Sequence, residues 1–584
     1  MKAVYTMNST KWFFLPVFVL MQIAMAYAQE PYQPAGVVSN PVVEARWNYY
    51  RDYGQATELL REIAEAHPEL CSLQSLGQST GGREMWVMTI TDFSTGDSDA
   101  KPGFWIDGNV HANEIQSADV VLYTAWYLTE MQAHSEFVRR LLAERVFYLL
   151  PMLSPDSRDA HFHEPNSSSS PRSGQIPIDD DRDGLFDEDP DDDLDGDGHI
   201  TQMRKADPNG RWVEHPDYPN DLIRAEPDEP GQFLRLGSEG IDNDGDGMTN
   251  EDGDGYYDPN RDYAWHWQPG RIQRGAYRYP FSVRENRLAA EFVMAHPNIA
   301  GGQSFHNTGG MILRGPGDPE DSFPYDDIRV YDKIGQVGEE MLPGYAYTVT
   351  SEDLYAAYGT VKDWLYNMRG ALSFTNEMNS SFNYFRRENE GDWMGSREDQ
   401  LQFNDLLLFG EGYVDWQEYD HPVYGRIEIG GRKKTWGRQP PSFLLEEECH
   451  RNMAFVLYHA DQLPLVEIQQ ATIRESGTGK WVVEATIVNR RLIPTRLRVD
   501  VERHITRPDH AYLLGDGFNV LASLWSDEQF FEYPREQWPR PEVAEIPRIA
   551  GNGVVYVRWF VSGIRPTGVA VSSVKGGADE RAID

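Results

Sequence analysis

The chain has 584 residues, a length that suits two to four domains with at least one large buried core. Its 93 acidic and 53 basic side chains give a formal net charge of -40, and without a basic patch no nucleic-acid partner is expected. The two cysteines, Cys71 and Cys449, permit one disulfide at most and exclude a cluster of thiolate metal ligands. Any metal site must therefore use histidine and carboxylate ligands.

Residues 1–28 have the pattern of a signal peptide. Lys2 and Lys11 precede an apolar stretch from Trp12 to Met25, and a small-x-small motif ends at Ala28, where we expect cleavage. A membrane anchor is the alternative, but about 14 apolar residues fall short of the roughly 20 that span a bilayer. We therefore expect a secreted or periplasmic protein with no transmembrane anchor after cleavage, in a compartment that permits disulfides and supplies calcium.

Residues 29–463 have the alternation of an α/β domain. Helical spacing predicts helices over Ala56–Ala66 and Ile115–Met131. Predicted strands are Glu84–Thr91, Gly103–Asp107, Arg145–Leu153, Ala346–Ser351 and Ala371–Thr375. Strands interleaved with helices indicate a mixed, mostly parallel sheet covered by helices.

Residues 464–584 have a different pattern. Apolar and polar residues alternate over Trp481–Val488, Leu497–Val501 and Val554–Val561, and glycine, proline and aspartate turns separate these runs. The pattern predicts a separate C-terminal β-sandwich domain.

An acidic insert occupies residues 172–258. Between Asp179 and Asp258 there are 27 acidic and 6 basic residues, which is about half of the net charge of the chain. Three runs have carboxylates on alternate residues and a glycine at the sixth position: Asp179, Asp181 and Asp183; Asp193, Asp195 and Asp197; Asp242, Asp244 and Asp246. This is the pattern of the first half of an EF-hand calcium loop, in which the glycine permits the sharp turn.

The three runs are not complete EF-hands. Position 12, which carries a bidentate glutamate in that motif, is Pro190, Arg204 or Gly253. The runs look more like the shorter calcium loops of dockerin or thrombospondin type 3 repeats. A structural calcium site is the favoured interpretation, and a solvated acidic linker is the alternative.

A candidate transition-metal site begins at the end of a predicted strand. His111 and Glu114 follow Gly103–Asp107, at the carboxyl edge where α/β sheets bind ligands, although a similar pair at His161 and Glu164 shows that the spacing alone is weak. A zinc hydrolase needs a third protein ligand and an open position, and His306 has the sequence context of a strand end. Glu377 also ends a predicted buried strand, where a general base would lie. Taken singly, each could be an ordinary polar residue at a strand end.

In this order the residues resemble the zinc carboxypeptidases of the M14 family, which have a His-x-x-Glu motif, a distant histidine and a strand-end glutamate. Further matches are Tyr355 with Gly359, Asp363 and Trp364, then Asp258-Pro-Asn260-Arg261, and the turn Ser154-Pro-Asp156. The insert falls between that turn and Arg261, which accounts for the sequence separation of 192 between Glu114 and His306. The resemblance covers roughly residues 45–463.

The resemblance implies roles for individual residues. His111, Glu114 and His306 would hold one catalytic zinc ion, with Asp258 hydrogen-bonded to a ligand histidine. Glu377 would be the general base. Arg204 is the first choice for the arginine that stabilises the oxyanion, with Arg158 as its competitor. Asn260 and Arg261 would bind the terminal carboxylate of a peptide, Tyr355 would close over the bound residue, and Lys362 would favour an acidic C-terminal side chain.

Two features depart from the family pattern. Asn113 stands where digestive members have an arginine, and Ser154 replaces an asparagine of the turn. Neither departure concerns a metal ligand.

The implied function is hydrolysis of the C-terminal bond of peptides that have a free C-terminal carboxylate. One rival is an amidase of the same fold that acts on peptidoglycan stem peptides or glutamyl amides. Another is a calcium-dependent binding protein with a vestigial catalytic fold. Such a protein would have lost a catalytic group, but every catalytic group of the family has a counterpart in this sequence.

Overall fold

The computed structural model describes residues 36, 38, 40–179, 182–253, 255, 257–387, 396–538 and 540–583. The chain divides into two compact units, residues 1–42 and residues 43–584. The predicted signal peptide and the predicted calcium ligand Asp181 lie outside the described residues. Within the described ranges, no helix is long and apolar enough to cross a membrane.

An eight-stranded mixed sheet forms the centre of the second unit, in the order β1-β2-β4-β3-β9-β12-β10-β11. Its strands are β1 (Cys71–Gln78), β2 (Glu84–Ile90), β3 (Gly103–Gly108), β4 (Val146–Leu150), β9 (Ile299–Asn307), β10 (Met311–Arg314), β11 (Ala346–Val349) and β12 (Leu372–Met378). Strands β4, β3, β9 and β12 run parallel to one another, and β10 also runs parallel to β11. The predicted fold class, a mixed and largely parallel sheet in an α/β domain, is confirmed.

Ten helices accompany this sheet among the described residues. They are α1 (Tyr53–Ala66), α2 (Gln116–Met131), α3 (Glu136–Glu144), α4 (Pro155–His163), α5 (Arg284–Ala295), α6 (Tyr325–Met341), α7 (Val361–Arg369), α8 (Phe382–Phe385), α9 (Arg397–Leu407) and α10 (Ser442–Asp461). Helix α2 is the most buried, with 14 of its 16 residues inaccessible, because it packs on β3 and β9 on one side and on α1 and α10 on the other. His161, from the second His-x-x-Glu pair of the sequence, lies in the last turn of α4.

The acidic insert contributes four strands to a second, six-stranded antiparallel sheet in the order β13-β14-β5-β8-β6-β7. These strands are β5 (Gln202–Ala206), β6 (Trp212–Glu214), β7 (Leu222–Arg224), β8 (Phe233–Ser238), β13 (Tyr413–His421) and β14 (Gly425–Arg432). The insert is therefore more than a set of loops, and its β5 pairs with β14 from much later in the chain.

Two further antiparallel sheets enclose the C-terminal core, in the orders β15-β16-β21-β18-β19 and β20-β17-β22-β23. Their strands are β15 (Val466–Gly477), β16 (Lys480–Asn489), β17 (Asp509–Leu514), β18 (Phe518–Ser526), β19 (Arg535–Glu536), β20 (Val543–Ile546), β21 (Gly553–Gly563), β22 (Gly568–Ser573) and β23 (Gly577–Ala582). Side chains such as Val483 and Trp559 from the first sheet and Val571 from the second share one apolar cluster.

One predicted strand of this region, Leu497–Val501, is wrong. The segment instead forms helix α11 (Arg498–Arg503). Its alternating apolar residues suggested a strand, but Asp327 of α6 accepts hydrogen bonds from the amides of Arg498 (2.7 Å) and Val499 (3.0 Å). A carboxylate that satisfies the first free amides stabilises the start of a helix, and this contact is invisible in the local sequence.

The C-terminal region also contacts the end of helix α7, which leads into β12. The buried ammonium of Lys575 donates hydrogen bonds to the carbonyl oxygens of Arg369 (2.5 Å) and Gly370 (2.7 Å) and pairs with Asp500 at 2.9 Å. A cation at the carboxyl end of a helix satisfies its free carbonyls and interacts favourably with its dipole. The C-terminal region thus stabilises the end of α7, directly before the core strand β12.

Candidate active site

Two histidines and a glutamate from separate elements converge at the carboxyl edge of the central sheet. His111 and Glu114 lie between β3 and α2, and His306 lies near the end of the neighbouring strand β9. Nδ1 of His111 is 3.0 Å from Oε1 of Glu114, and Nδ1 of His306 is 2.9 Å from Oε2 of Glu114 and 3.1 Å from Nδ1 of His111. All three side chains are buried, and together they could hold a metal ion.

The donor set fits a zinc ion. Around a tetrahedral ion with ligand bonds of about 2.1 Å, neighbouring donor atoms are roughly 3.4 Å apart, close to the separations of these three. Two imidazole nitrogens also face one another at 3.1 Å, and a shared cation would satisfy both lone pairs. The site supplies three protein ligands, which leaves a fourth position for water or substrate.

The outer nitrogens of both histidines have polar partners. Nε2 of His111 lies 2.8 Å from Oδ1 of Asp258, as the resemblance implied. Nε2 of His306 lies 3.3 Å from Oγ of Ser304, which donates a hydrogen bond to the buried Asp107 at 2.5 Å. Such contacts hold the ring orientation and select the nitrogen that faces the metal.

Histidine and arginine partners favour the ionised form of the carboxylates at this site. Burial raises the pKa of Glu114, but the charges and hydrogen bonds of His111 and His306 outweigh it and hold that pKa well below its usual range. For Asp258, burial is likewise outweighed by His111, Arg261 and Arg172, so its pKa is also well below the ordinary value. An ionised carboxylate is the form that binds a metal or fixes a ligand histidine.

Glu377 lies beside His306 because β12 and β9 are parallel neighbours that pair these two residues. Burial, followed by the negative charge of Glu114, raises the pKa of Glu377 to about 7, although the charges of His306, Arg172 and Arg438 oppose the shift. A carboxyl whose pKa lies near neutrality can both accept and release a proton, which suits a general base.

The predicted carboxylate-binding residues follow Asp258 in a short 3-10 turn, Pro259–Arg261. Nη1 of Arg261 donates to the carbonyl of Asn260 (2.7 Å), and Nη2 contacts the hydroxyl of Tyr355 (3.4 Å). Nε of Arg261 is buried without an acceptor among the described residues, so a ligand oxygen could take this donor. Tyr355 is half exposed and thus free to contact a ligand from the solvent side.

Lys362 is buried at the first turn of α7. Its Nζ lies 3.3 Å from Oγ1 of Thr360 and 3.4 Å from Oδ2 of Asp363. Burial lowers the pKa of Lys362, and the Asp363 carboxylate opposes that shift. Lys362 is therefore a buried helical residue and not a solvated lysine of a loop.

The structure does not bring Arg204 to this site. Arg204 lies on β5 of the six-stranded sheet, between the rings of Phe233 and Trp416, and pairs with Glu214 and Glu428 at 2.8 Å each. The prediction of Arg204 as the oxyanion arginine is corrected, because the insert folds into its own sheet and carries the residue away.

Its competitor, Arg158, lies elsewhere in the core. The Arg158 guanidinium is fully buried, with hydrogen bonds to the carbonyl of Ile115 (2.9 Å) and to Asp119 (3.2 Å). It therefore has a structural environment rather than a place beside Glu377.

Two arginines that the sequence did not reveal contact Glu114 of the candidate metal site instead. Arg172 donates from Nη1 to Oε1 of Glu114 (3.0 Å) and from Nη2 to Oδ2 of Asp258 (3.3 Å). Arg438 donates from Nη1 to the same Glu114 oxygen at 3.4 Å. Arg172 could have been found as the last basic residue before the acidic runs, 16 residues after Asp156, whereas Arg438 has no local sequence signal.

The second and third acidic runs form exposed or partly exposed turns in which carboxylates accept hydrogen bonds from nearby amides. Asp193, Asp195 and Asp197 lie together, as do Asp242, Asp244 and Asp246. In the first run, Asp183 groups with Glu188 and with Asp244 of the third run, whereas Asp179 belongs to no such group among the described residues. The second and third runs thus have the expected clustering, whereas the first stays a prediction because its Asp181 lies outside the described residues.

A sequence model of the zinc carboxypeptidase family matches residues 56–183 and 246–391, on both sides of the inserted strands. The region from residue 56 to residue 391 is thus a zinc carboxypeptidase domain that carries an insert. Residues 465–584 match a model for a domain of unknown function, so the zinc carboxypeptidase region and the C-terminal sheets correspond to different families. Residues 392–464, which include Arg438, lie beyond both models.

Individual zinc carboxypeptidases match over limited segments. The chain is 27% identical to carboxypeptidase B of Astacus astacus over 169 residues, 29% of this chain and 46% of that protein. It is 27% identical to carboxypeptidase D of Mus musculus over 123 residues, 21% of this chain and 9% of that protein. Carboxypeptidase A from Helicoverpa armigera is a solved structure with 16% identity and a TM-score of 0.41, covering 65% of this chain and 73% of that one. The chain thus matches less than half the length of these curated relatives.

Proposed function

We propose that the protein is an exported zinc carboxypeptidase that removes the C-terminal residue of peptides. The observation that supports this most directly is the convergence of His111, Glu114 and His306 beside Glu377. Export is proposed from the pattern of residues 1–28 alone.

The residues of the chain divide the chemical work. A zinc ion held by His111, Glu114 and His306 supplies Lewis acidity, which polarises a carbonyl and makes water more acidic. Glu377 accepts the proton of the attacking water and later delivers it to the departing amine. Arg172, rather than Arg204, donates to the oxygen on which negative charge develops, because its guanidinium lies at Glu114 and is 36% exposed.

The specificity for a chain end comes from Asn260 and Arg261. A guanidinium with an unused donor binds a carboxylate with strong directional preference, and this adds binding energy only when the substrate ends one residue beyond the cleaved bond. Tyr355, whose hydroxyl already touches Arg261, closes over the bound residue.

Lys362 favours a C-terminal glutamate or aspartate. Its ammonium has only one carboxylate partner, Asp363, among the described residues, and burial reduces the screening of its charge by water. Replacement of Lys362 with methionine should reduce the preference for glutamate over phenylalanine by about tenfold or more, which competing hydrolysis of matched peptides would measure. An unchanged ratio would contradict this role.

We also propose that the insert binds calcium through the runs at Asp193–Asp197 and Asp242–Asp246. Oxygen ligands and glycine turns are the features that calcium loops share. The ion would stabilise the insert, and no catalytic role is assigned to it.

Elemental analysis of the purified protein together with product identification on a mixed peptide library tests the main proposal. We expect about one zinc ion per chain and the release of single C-terminal L-amino acids. A carboxypeptidase should not hydrolyse peptides whose C-terminus is amidated. Release of D-amino acids or diamino acids from peptidoglycan fragments would instead favour the amidase. A protein that holds zinc but hydrolyses neither class of substrate would contradict the proposal.

A further inference from the structure

Arg438 lies at the candidate site although neither family model includes it. It belongs to the connection between β14 and α10. Its Nε donates to the carbonyl of Ser168 at 3.1 Å, and its Nη1 donates to the carbonyl of Asn307 at 3.1 Å and to Oε1 of Glu114 at 3.4 Å. One guanidinium thus joins the loop before Arg172, the end of β9 and a metal-binding side chain.

The backbone at Arg438 is fixed from two sides. Trp436 is buried and stacks on Phe403 with ring centroids 5.6 Å apart and an interplanar angle of 5°. The carbonyl of Arg438 accepts a hydrogen bond from Asn379 at 3.2 Å, two residues after Glu377. The position of the guanidinium is therefore coupled to the strand that carries the general base.

Part of this guanidinium remains available to a ligand. Nη2 has no acceptor among the described residues, and the side chain is 22% exposed. Neither Arg261 nor Asn260 contacts Arg438, so its free donors do not belong to the terminal-carboxylate site. They lie beside the Glu114 oxygen that Arg172 also contacts, whereas the contacts of Arg261 are with Asn260 and Tyr355.

We propose that Arg438 is a substrate-binding residue, whose Nη2 donates to the carbonyl oxygen of the first peptide bond on the amino side of the scissile bond. This inference rests on the proposed function. With the terminal carboxylate on Arg261 and the scissile carbonyl at the zinc ion and Arg172, the next carbonyl upstream is the oxygen left for Arg438. A lysine could not replace Arg438, because Nε and Nη1 of the guanidinium donate to backbone carbonyls while Nη2 donates to the ligand.

Peptide binding to the inactive Glu377→Gln protein, loaded with zinc, tests this role by calorimetry. The probes share the C-terminal residue that the enzyme releases fastest. One carries an N-acetylglycyl group, which supplies the upstream carbonyl, and the other an N-pentanoyl group of the same chain length without it. We expect Arg438→Met and Arg438→Lys to weaken binding of the first probe about 10- to 100-fold, the range of a hydrogen bond to a charged group, and to leave the second nearly unchanged.

Controls separate binding from a structural role. Arg490→Met, an exposed arginine of the C-terminal region, should change neither affinity, and zinc content is measured for every variant. In Glu377→Gln protein that keeps Arg438, the N-pentanoyl probe should bind about 10- to 100-fold more weakly than the N-acetylglycyl probe. This comparison needs no Arg438 variant.

Equal losses for both probes in the Arg438 variants, or no loss for either, would overturn the role of Arg438 while the wild type still hydrolyses peptides. If the wild type hydrolyses none, the proposed function itself fails, and this inference fails with it.

Discussion

The buried centre at Glu114 and the acidic insert both gather side chains that could hold a metal ion, but they differ in how the fold positions them. At the centre, the donors come from two neighbouring strand ends and are held by Asp258 and Ser304. In the insert, the carboxylates of the second and third runs lie within five residues of one another and are exposed or partly exposed. The first arrangement is enforced by the register of the central sheet, whereas the second relies on local turns.

The two regions also differ in charge balance. Cationic partners hold the pKa of Glu114 well below its ordinary value. In the insert, burial raises the pKa of Glu239 and Glu251 to about 7 in each, and neighbouring carboxylates add to the effect. Neighbouring carboxylates disfavour one another's ionised form, so a bound cation would stabilise the ionised insert.

The largest expected effect is at Glu377. Replacement with glutamine removes the proton acceptor but keeps the shape, so we expect activity to fall by about 10²- to 10⁴-fold while peptide binding and zinc content are retained. Steady-state kinetics, calorimetry and elemental analysis measure the three quantities. Glu502→Gln, an exposed residue of α11, is the matched control. Activity of Glu377→Gln near that of the wild type would remove the general base from the mechanism.

Substitution of Arg172 at the centre and of Arg204 in the insert compares the two regions directly. Loss of a donor to the developing oxyanion costs roughly 3–4 kcal/mol, so Arg172→Ala should lower kcat by about 10²- to 10³-fold. Arg204→Ala should instead leave kcat within a few-fold and lower the free energy of unfolding by about 1–3 kcal/mol, because it breaks partly exposed ion pairs within the insert sheet. The reverse pattern would restore Arg204 to the active site.

Much of the centre could be predicted because its residues obey strong local patterns. The buried strands β3, β9 and β12 end in polar residues, and the parallel pairing of these strands brings His306 and Glu377 together. Arg438 could not be predicted, since it reaches Glu114 from 324 residues away through a connection with no periodicity. Arg204 was misassigned because spacing along an insert says nothing about the sheet into which the insert folds.

Calcium removal tests whether the insert influences the centre. Arg172 and Asp258 flank the insert and contact one another, and with Arg261 they line a cavity of about 550 Å³ to which Asp191 and Glu251 also contribute. We expect a calcium-selective chelator to reduce activity several-fold without removing zinc, and added calcium to restore it. Turnover that is undiminished in calcium-free buffer, with a matching zinc content, would show that the two regions are independent.

The smallest expected effect concerns the pH dependence of stability in the insert. Burial raises the pKa of Glu239 to about 7 in the fold, against roughly 4.3 in an unfolded chain. The folded state therefore binds the proton of Glu239 more tightly than the unfolded chain does. In calcium-free buffer the free energy of unfolding should fall as the pH rises from about 4.3 to 7, and ionisation of Glu239 should change it little above about pH 7. Glu239→Gln cannot ionise, so its melting temperature should fall less between pH 5 and pH 8 than that of the wild type. If the melting temperatures of the two proteins fall equally between pH 5 and pH 8, ionisation of Glu239 is not the origin of the pH dependence. A constant difference between the two melting temperatures would only reflect the altered contacts with Thr201.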